Sequence, residues 1–267
     1  MPRTEGAARP VTARGPGELD PVEPEPLEYV VLCGPEDRSA LWAAQALRDR
    51  GLPVRVVTTQ EVVYSTSLRH TVASGEVTTA VRLADGTLLG PDLRGTLNRM
   101  TWVPTEHLAG ADPADRDYAQ QEIYAVLTSV VHGLPGVVLG RADGRGLCGA
   151  AWRPPEWMTR AGRAGLLVSG YRSGAPARAP AGGISLVVVG DEVVAPEGVV
   201  VPPDVVAALQ RLAHEHGSGL LGVELHAERD DARRVVAVTP VPDLTGLGDP
   251  IVAALHAALL GRARVSA

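Results

Sequence analysis

The acid Glu224, in "GVELH", precedes the stretch "RRVVAVTPVPDL" from Arg233 to Leu244, and Asp243 lies near its end. That stretch reads as an apolar strand, Val235 to Val238, running into a turn. In α/β proteins ligands gather at the carboxyl ends of strands. Two acids there could hold a divalent cation. The plainer reading is that they form surface pairs with Arg229, Arg233 and Arg234, which stabilise little. His226, two residues after Glu224, adds a weak acid–base suggestion. His214 and His216, two apart on a helix, point to different faces and do not share a metal.

A second constellation lies in "LNRMTW" and "YAQQEIY". Asn98 is the chain's one asparagine, and Arg99 follows it at the end of a strand. Glu122 lies on the long helix that follows. Arg99 and Glu122 could pair and brace one half of the chain against the other. Alternatively Arg99, Arg141 and Arg153 form a site for an anion or a peptide terminus, since arginine suits bidentate carboxylate recognition. Trp152 and Trp157 flank "RPPE"; they read as core, or, if exposed, as a docking patch.

Composition limits the chemistry further. The 25 basic residues are all arginine. With no lysine in the chain, P-loop, Schiff-base and lysine-base mechanisms are excluded. The absence of phenylalanine and the excess of Ala, Gly, Val, Arg and Pro point to a GC-rich genome of actinobacterial type. A net charge of −6 does not suggest a nucleic-acid footprint, and no apolar run is long enough for a membrane span. With no secretory h-region and two widely separated cysteines, Cys33 and Cys148, a cytoplasmic protein with buried free thiols is expected.

The elements that must position these residues follow from periodicity. Residues 1–27, rich in Pro, Gly and Glu, read as a disordered tail. "EYVVLCGPED", "RSALWAAQALRDRG" and "PVRVVTT" form a βαβ unit, hence a parallel sheet. A hairpin turning at Asp85-Gly86 and a strand ending at Asn98-Arg99 come next. A long helix capped near Asp115 closes this half, residues 28–140. Residues 141–267 carry a proline-started helix at "RPPEWMTRAGRAGL", a low-complexity linker at 171–183, a hairpin at Gly190-Asp191, a helix from "PPDVV", and a hairpin at Asp230-Asp231. A C-terminal helix with Asp249 as N-cap ends the chain. The fold class is α/β (α+β).

The order of "LNR", "DYAQQEIYAVL", "RPPEWMTRAGRAGL", "LVVVGDEVV" and "LGVELHAERDDARRVVAVTPVPDL" resembles the ATP-grasp superfamily, in its carboxylate–amine ligases, over about residues 28–262. The resemblance implies an N-terminal parallel βαβ domain and an ATP-grasp-like C-terminal domain. It also implies phosphate-binding lysines, a magnesium acid on the penultimate strand and Glu-x-Asn on the last. The chain departs from that pattern. Trp152-Arg153-Pro154 stand where a lysine belongs, and Glu-x-Asn becomes Ala237-Val238-Thr239. The segment between Leu166 and Ile184 is too short for the nucleotide-gripping subdomain, so the C-terminal domain is truncated. Only Glu224 keeps a metal acid, with Asp243 nearby.

The expectation is therefore a non-catalytic binding or scaffolding protein with no cofactor and a protein partner, a homodimer being left open. The alternatives are a divergent ATP-dependent peptide ligase using ATP and magnesium, and a small-molecule or peptide binding module without ATP. Val235, Val236 and Val238 are expected on a central strand packed on both faces, with Ala237 facing Glu224.

Overall fold

The computed structural model describes residues 27–169, 183–227 and 233–261. The tail up to residue 26, all of the 171–183 linker except Gly183, and the turn at Asp230-Asp231 lie outside them.

Strand β1 (Tyr29–Cys33), helix α1 (Arg38–Asp49) and strand β2 (Val54–Thr58) form the expected parallel βαβ unit, Tyr29 opposite Val54. Strand β6 (Gly95–Asn98) pairs parallel to the other side of β1, and β7 (Val137–Leu139) follows it, giving the order β2-β1-β6-β7. All of β1 is buried, as a parallel strand covered on both faces should be. Tyr29, Val31 and Cys33 face α1; Val30 and Leu32 face the opposite core.

That opposite face carries α3 (Pro113–His132) and a three-stranded meander, β3 (Ser67–Ala73), β4 (Glu76–Arg82) and β5 (Leu88–Leu89), joined to β2 by the short α2 (Thr59–Val63). The Asp85-Gly86 turn is present and links β4 to β5. The longer hairpin turns earlier, at Ser74-Gly75, both in the left-handed region (φ 54° and 82°). That is the backbone a two-residue hairpin favours. Helix α3 is capped by Asp112, whose side chain accepts from Ala114 N at 3.0 Å, and Pro113 starts it. Asp115, the residue the sequence suggested as cap, falls in the first turn.

The second half holds α4 (Pro154–Arg163), β8 (Ile184–Val189), β9 (Glu192–Val194), α5 (Pro203–His216), β10 (Leu220–Ala227), β11 (Arg233–Thr239) and α6 (Gly248–Leu259). Its antiparallel sheet runs β11-β10-β8-β9, covered on one face by α4 and α5. Helix α6 follows Leu247, with Asp249 in its first turn rather than at its cap. It packs on both sheets at once. Its Ile251, Leu255 and Leu259 share one buried cluster with Tyr29 and Val31 of β1 and with Val187 and Val189 of β8.

The placement of β11 overturns one expectation. It is an edge strand, and its burial falls along its length: Val235 is fully buried, Val236 and Val238 are half-buried, and Ala237 and Thr239 are exposed. Only its first part has a second neighbour among the described residues, where Val235 N donates to Leu167 O at 2.8 Å and Ser169 N to Val235 O at 3.0 Å. A continuous Val-Val-Ala-Val run looks the same in a central strand and in an edge strand half covered by helices.

Candidate functional site

The order β2-β1-β6 places a topological switch between β1 and β6. The chain leaves β1 through α1 toward β2, while β6 leads to β7 on the other side. The crevice at such a switch is where open α/β sheets bind ligands. Here a cavity of about 360 Å³ opens there, lined by Gly34, Pro35, Glu36, Asp37, Arg99, Thr101, Trp102 and Val241.

Arg99 is its centre. Its backbone N donates to Leu32 O at 2.7 Å, fixing the end of β6 to that of β1. Its side chain is 5% exposed. Arg99 Nε donates to Asp37 Oδ2 at 2.8 Å, Nη2 to Asp37 Oδ1 at 3.3 Å, and Nη1 to Pro242 O at 2.7 Å. Asp37 is also the N-cap of α1, accepting from Ala40 N at 2.9 Å. One carboxylate thus ends a strand–helix turn and neutralises the buried guanidinium. Pro242 in turn packs on Gly222 of β10, where no Cβ could fit. The corner is tied together by residues from β1, β6, α1 and the segment after β11.

The expected Arg99–Glu122 brace does not form. Glu122 is exposed on α3, and Arg99 takes Asp37 instead. Asn98 is fully buried and spent on structure: its Nδ2 donates to Gly140 O at 2.7 Å and Leu147 O at 2.6 Å, while Oδ1 accepts from Met100 N at 3.2 Å. Arg141 donates to His132 O at 3.0 Å, and Arg153 is exposed at the N-cap of α4. The three arginines therefore do not form one anion site, and Arg99 already has its carboxylate.

Asp243 is the sequence candidate that does reach this corner. It is exposed, and its Oδ1 accepts from Thr245 N at 2.9 Å and Thr245 Oγ1 at 2.8 Å. The Thr245 bonds above all, with Ser39 and Arg99 adding, hold its carboxyl below the usual range. Its neighbour Leu244 N is bonded to Ser39 Oγ at 2.9 Å, on the first turn of α1.

Glu224 sits in β10 opposite Ala237, with Ser185 of β8 on its other side. It is half-buried, and its carboxylate lies against Gly183, where a Cβ would collide with it. Magnesium needs several hard oxygen donors, chiefly carboxylates. The register brings Glu224 a methyl group from Ala237. The Thr239 hydroxyl already accepts from Val241 N at 3.1 Å. These residues do not fit a magnesium ion. Among the described residues no group of three or more His, Cys, Asp or Glu could hold a metal.

Trp102, 37% exposed, lines the cavity beside Gly34, where an added Cβ would lie 3.2 Å from the indole nitrogen. His216 is buried between Trp152 and Trp157, both ring centroids at 5.1 Å. Its Nδ1 meets Ser218 Oγ at 2.7 Å and its Nε2 meets Ala150 O at 3.1 Å. Burial pushes this imidazole below its ordinary pKa. Trp157 is core, and Trp152 is half-buried with the Arg160 guanidinium 3.8 Å over its ring, so the pair is packed rather than presented as a docking patch.

No protein-family model matches the chain, and no curated protein sequence matches it. Solved structures do. A RiPP-associated ATP-grasp ligase of Chryseobacterium gregarium, in complex with ADP and a leader and core peptide, superposes with a TM-score of 0.66 at 11% identity, over 90% of this chain and 98% of that one. The ATP-grasp ligase PsnB, with a phosphomimetic minimal precursor, Mg and ADP, gives 0.64 at 16% identity, over 88% and 99%. The macrocyclase MdnC of Microcystis aeruginosa, bound to precursor peptide MdnA, gives 0.62 at 12% identity, over 88% and 100%. At such identities the likeness is one of architecture: with the parallel β2-β1-β6-β7 sheet joined through α6 to the antiparallel β11-β10-β8-β9 sheet, the chain has the fold of these ATP-grasp ligases.

Proposed function

We propose that this chain binds a peptide in the corner between β1, β6 and the segment after β11, as a non-catalytic component of a peptide-modifying system. The observation that carries this reading is the state of the strand end beside that corner. The cavity is built and its arginine is fixed, but Glu224 faces Ala237, and the Thr239 hydroxyl is already engaged. The likeness to structures solved with leader, core or precursor peptides supports a peptide as the ligand. Its partner in such a system is an active enzyme, and light scattering of the purified chain distinguishes that role from a homodimer.

Calorimetry with Mg-ATP, alongside fluorescence anisotropy with small peptides encoded beside the gene, tests the reading. We expect saturable binding of one such peptide and no saturable micromolar heat from Mg-ATP.

A second reading is a divergent ATP-dependent peptide ligase. It is favoured by the overall likeness to ligases solved with ADP. Micromolar Mg-ATP binding, together with ATP-dependent loss of one water from the peptide by mass spectrometry, would establish it in place of the first.

A further inference from the structure

The geometry points to the cavity at the β1/β6 switch as a pocket for a cationic side chain, lysine or arginine, of an extended peptide. This rests on the peptide-binding reading and names the chemistry that reading would recognise. The sequence, through Arg99, suggested an anion. The charges lining the cavity say otherwise. Glu36 and Asp37 stand against the single Arg99, and Asp37 is already bonded to that guanidinium through two of its N–H groups. Asp243, the next acid along the corner, lies close enough to Arg99 to feel its charge. Arg38 opens α1 but is exposed and does not line the cavity. An incoming carboxylate would therefore meet more negative charge than positive. A cation would be attracted by Glu36 at the rim.

Trp102 supplies the second element. Trp102 lines the cavity and is 37% exposed, which leaves aromatic surface there for an ammonium or guanidinium. Gly34 lies against the indole, where an added Cβ would press on its nitrogen at 3.2 Å. The third element is the remainder of Arg99. Of its five N–H groups three are bonded, two to Asp37 and one to Pro242 O. The remaining two can donate to a neutral acceptor such as a peptide carbonyl, which adds no negative charge to the site. A cavity of about 360 Å³ suits one long side chain and the peptide unit that bears it.

The test uses the full chain and three probes: Nα-acetyl-lysine methylamide and the matching arginine and glutamate compounds. The readout is the indole N–H resonance of Trp102, identified as the one missing in Trp102→Leu. The lysine and arginine probes should shift it saturably, and the glutamate probe should not. Glu36→Gln, at an exposed position that leaves the fold alone, should weaken the cationic probes about two- to fivefold, the order expected for a single exposed charge contact. A glutamate probe that shifts the resonance as strongly would overturn the inference, as would cationic binding unchanged in Glu36→Gln. Cationic probes that leave Trp102 untouched while a longer peptide still binds overturn the pocket assignment alone. Failure of both overturns the peptide-binding reading itself.

Discussion

Replacing Ala237 with Glu places, at one position, the carboxylate that the resemblance to ATP-grasp ligases implies for the last strand. Its cost reports what the strand end has become. In a closed interior an unpaired carboxylate costs several kcal/mol. Ala237, however, is exposed on the edge strand β11, with Glu224 directly across in register. The new side chain can reach water. What remains is the repulsion of two acids at cross-strand spacing, about 0.2–1 kcal/mol for such pairs. A domain of this size loses about 2–4 °C of Tm per kcal/mol. The expected drop is therefore at most about 4 °C by thermal melt, and smaller in high salt because the pair is exposed. Leu225→Ala, one residue along β10 and 1% exposed, is the internal control, with about 2–5 kcal/mol lost. If Ala237→Glu falls as far as Leu225→Ala, the carboxyl end of β11 is covered, and the account of an open strand end is wrong.

Asp37→Ala should destabilise by about 3–5 kcal/mol in urea, because it strands the Arg99 guanidinium at 5% exposure and also removes the α1 cap; Asp37→Ala with Arg99→Met should recover part of that loss. His216 is held below the ordinary imidazole pKa, so the unfolded chain takes up the proton first. Stability is then full above pH of about 6.5 and declines as pH falls toward the folded value. His216→Gln should remove that part of the pH dependence. Burial raises the Cys33 and Cys148 thiols to about 11, so a thiol reagent at pH 8 should label neither in the native chain and both in urea.

The parts of the fold legible in sequence are those whose pattern is local. The apolar run Tyr29–Cys33 and the helical spacing of Leu41, Ala44 and Leu47 point to β1 and α1, but the buried face of α1 is Ala40, Ala43, Ala44 and Leu47, while Leu41 is exposed. The Ser74-Gly75 turn was missed because a non-glycine residue at positive φ carries a weak composition signal beside Asp85-Gly86. The edge position of β11 depends on sheet order, which periodicity does not encode.

The site shows the same division more sharply. Arg99 was visible as an arginine at a strand end, but its partner was sought on α3, the next long element, rather than 62 residues upstream at Asp37. Asp37 carries a local signal, an acid two residues after Gly-Pro at a helix start, where an N-cap belongs. Once β6 pairs with β1, the ends of the two strands are neighbours and the choice is forced. The acid that pairs with Arg99 is the one capping the helix that leaves β1. A buried guanidinium without that acid would be far too costly to keep. The pairing also changes what the residue can do. A free arginine at a strand end recruits anions, whereas an arginine already held by its own cap presents only its spare N–H groups, and the site beside Glu36 and Trp102 becomes one for cations.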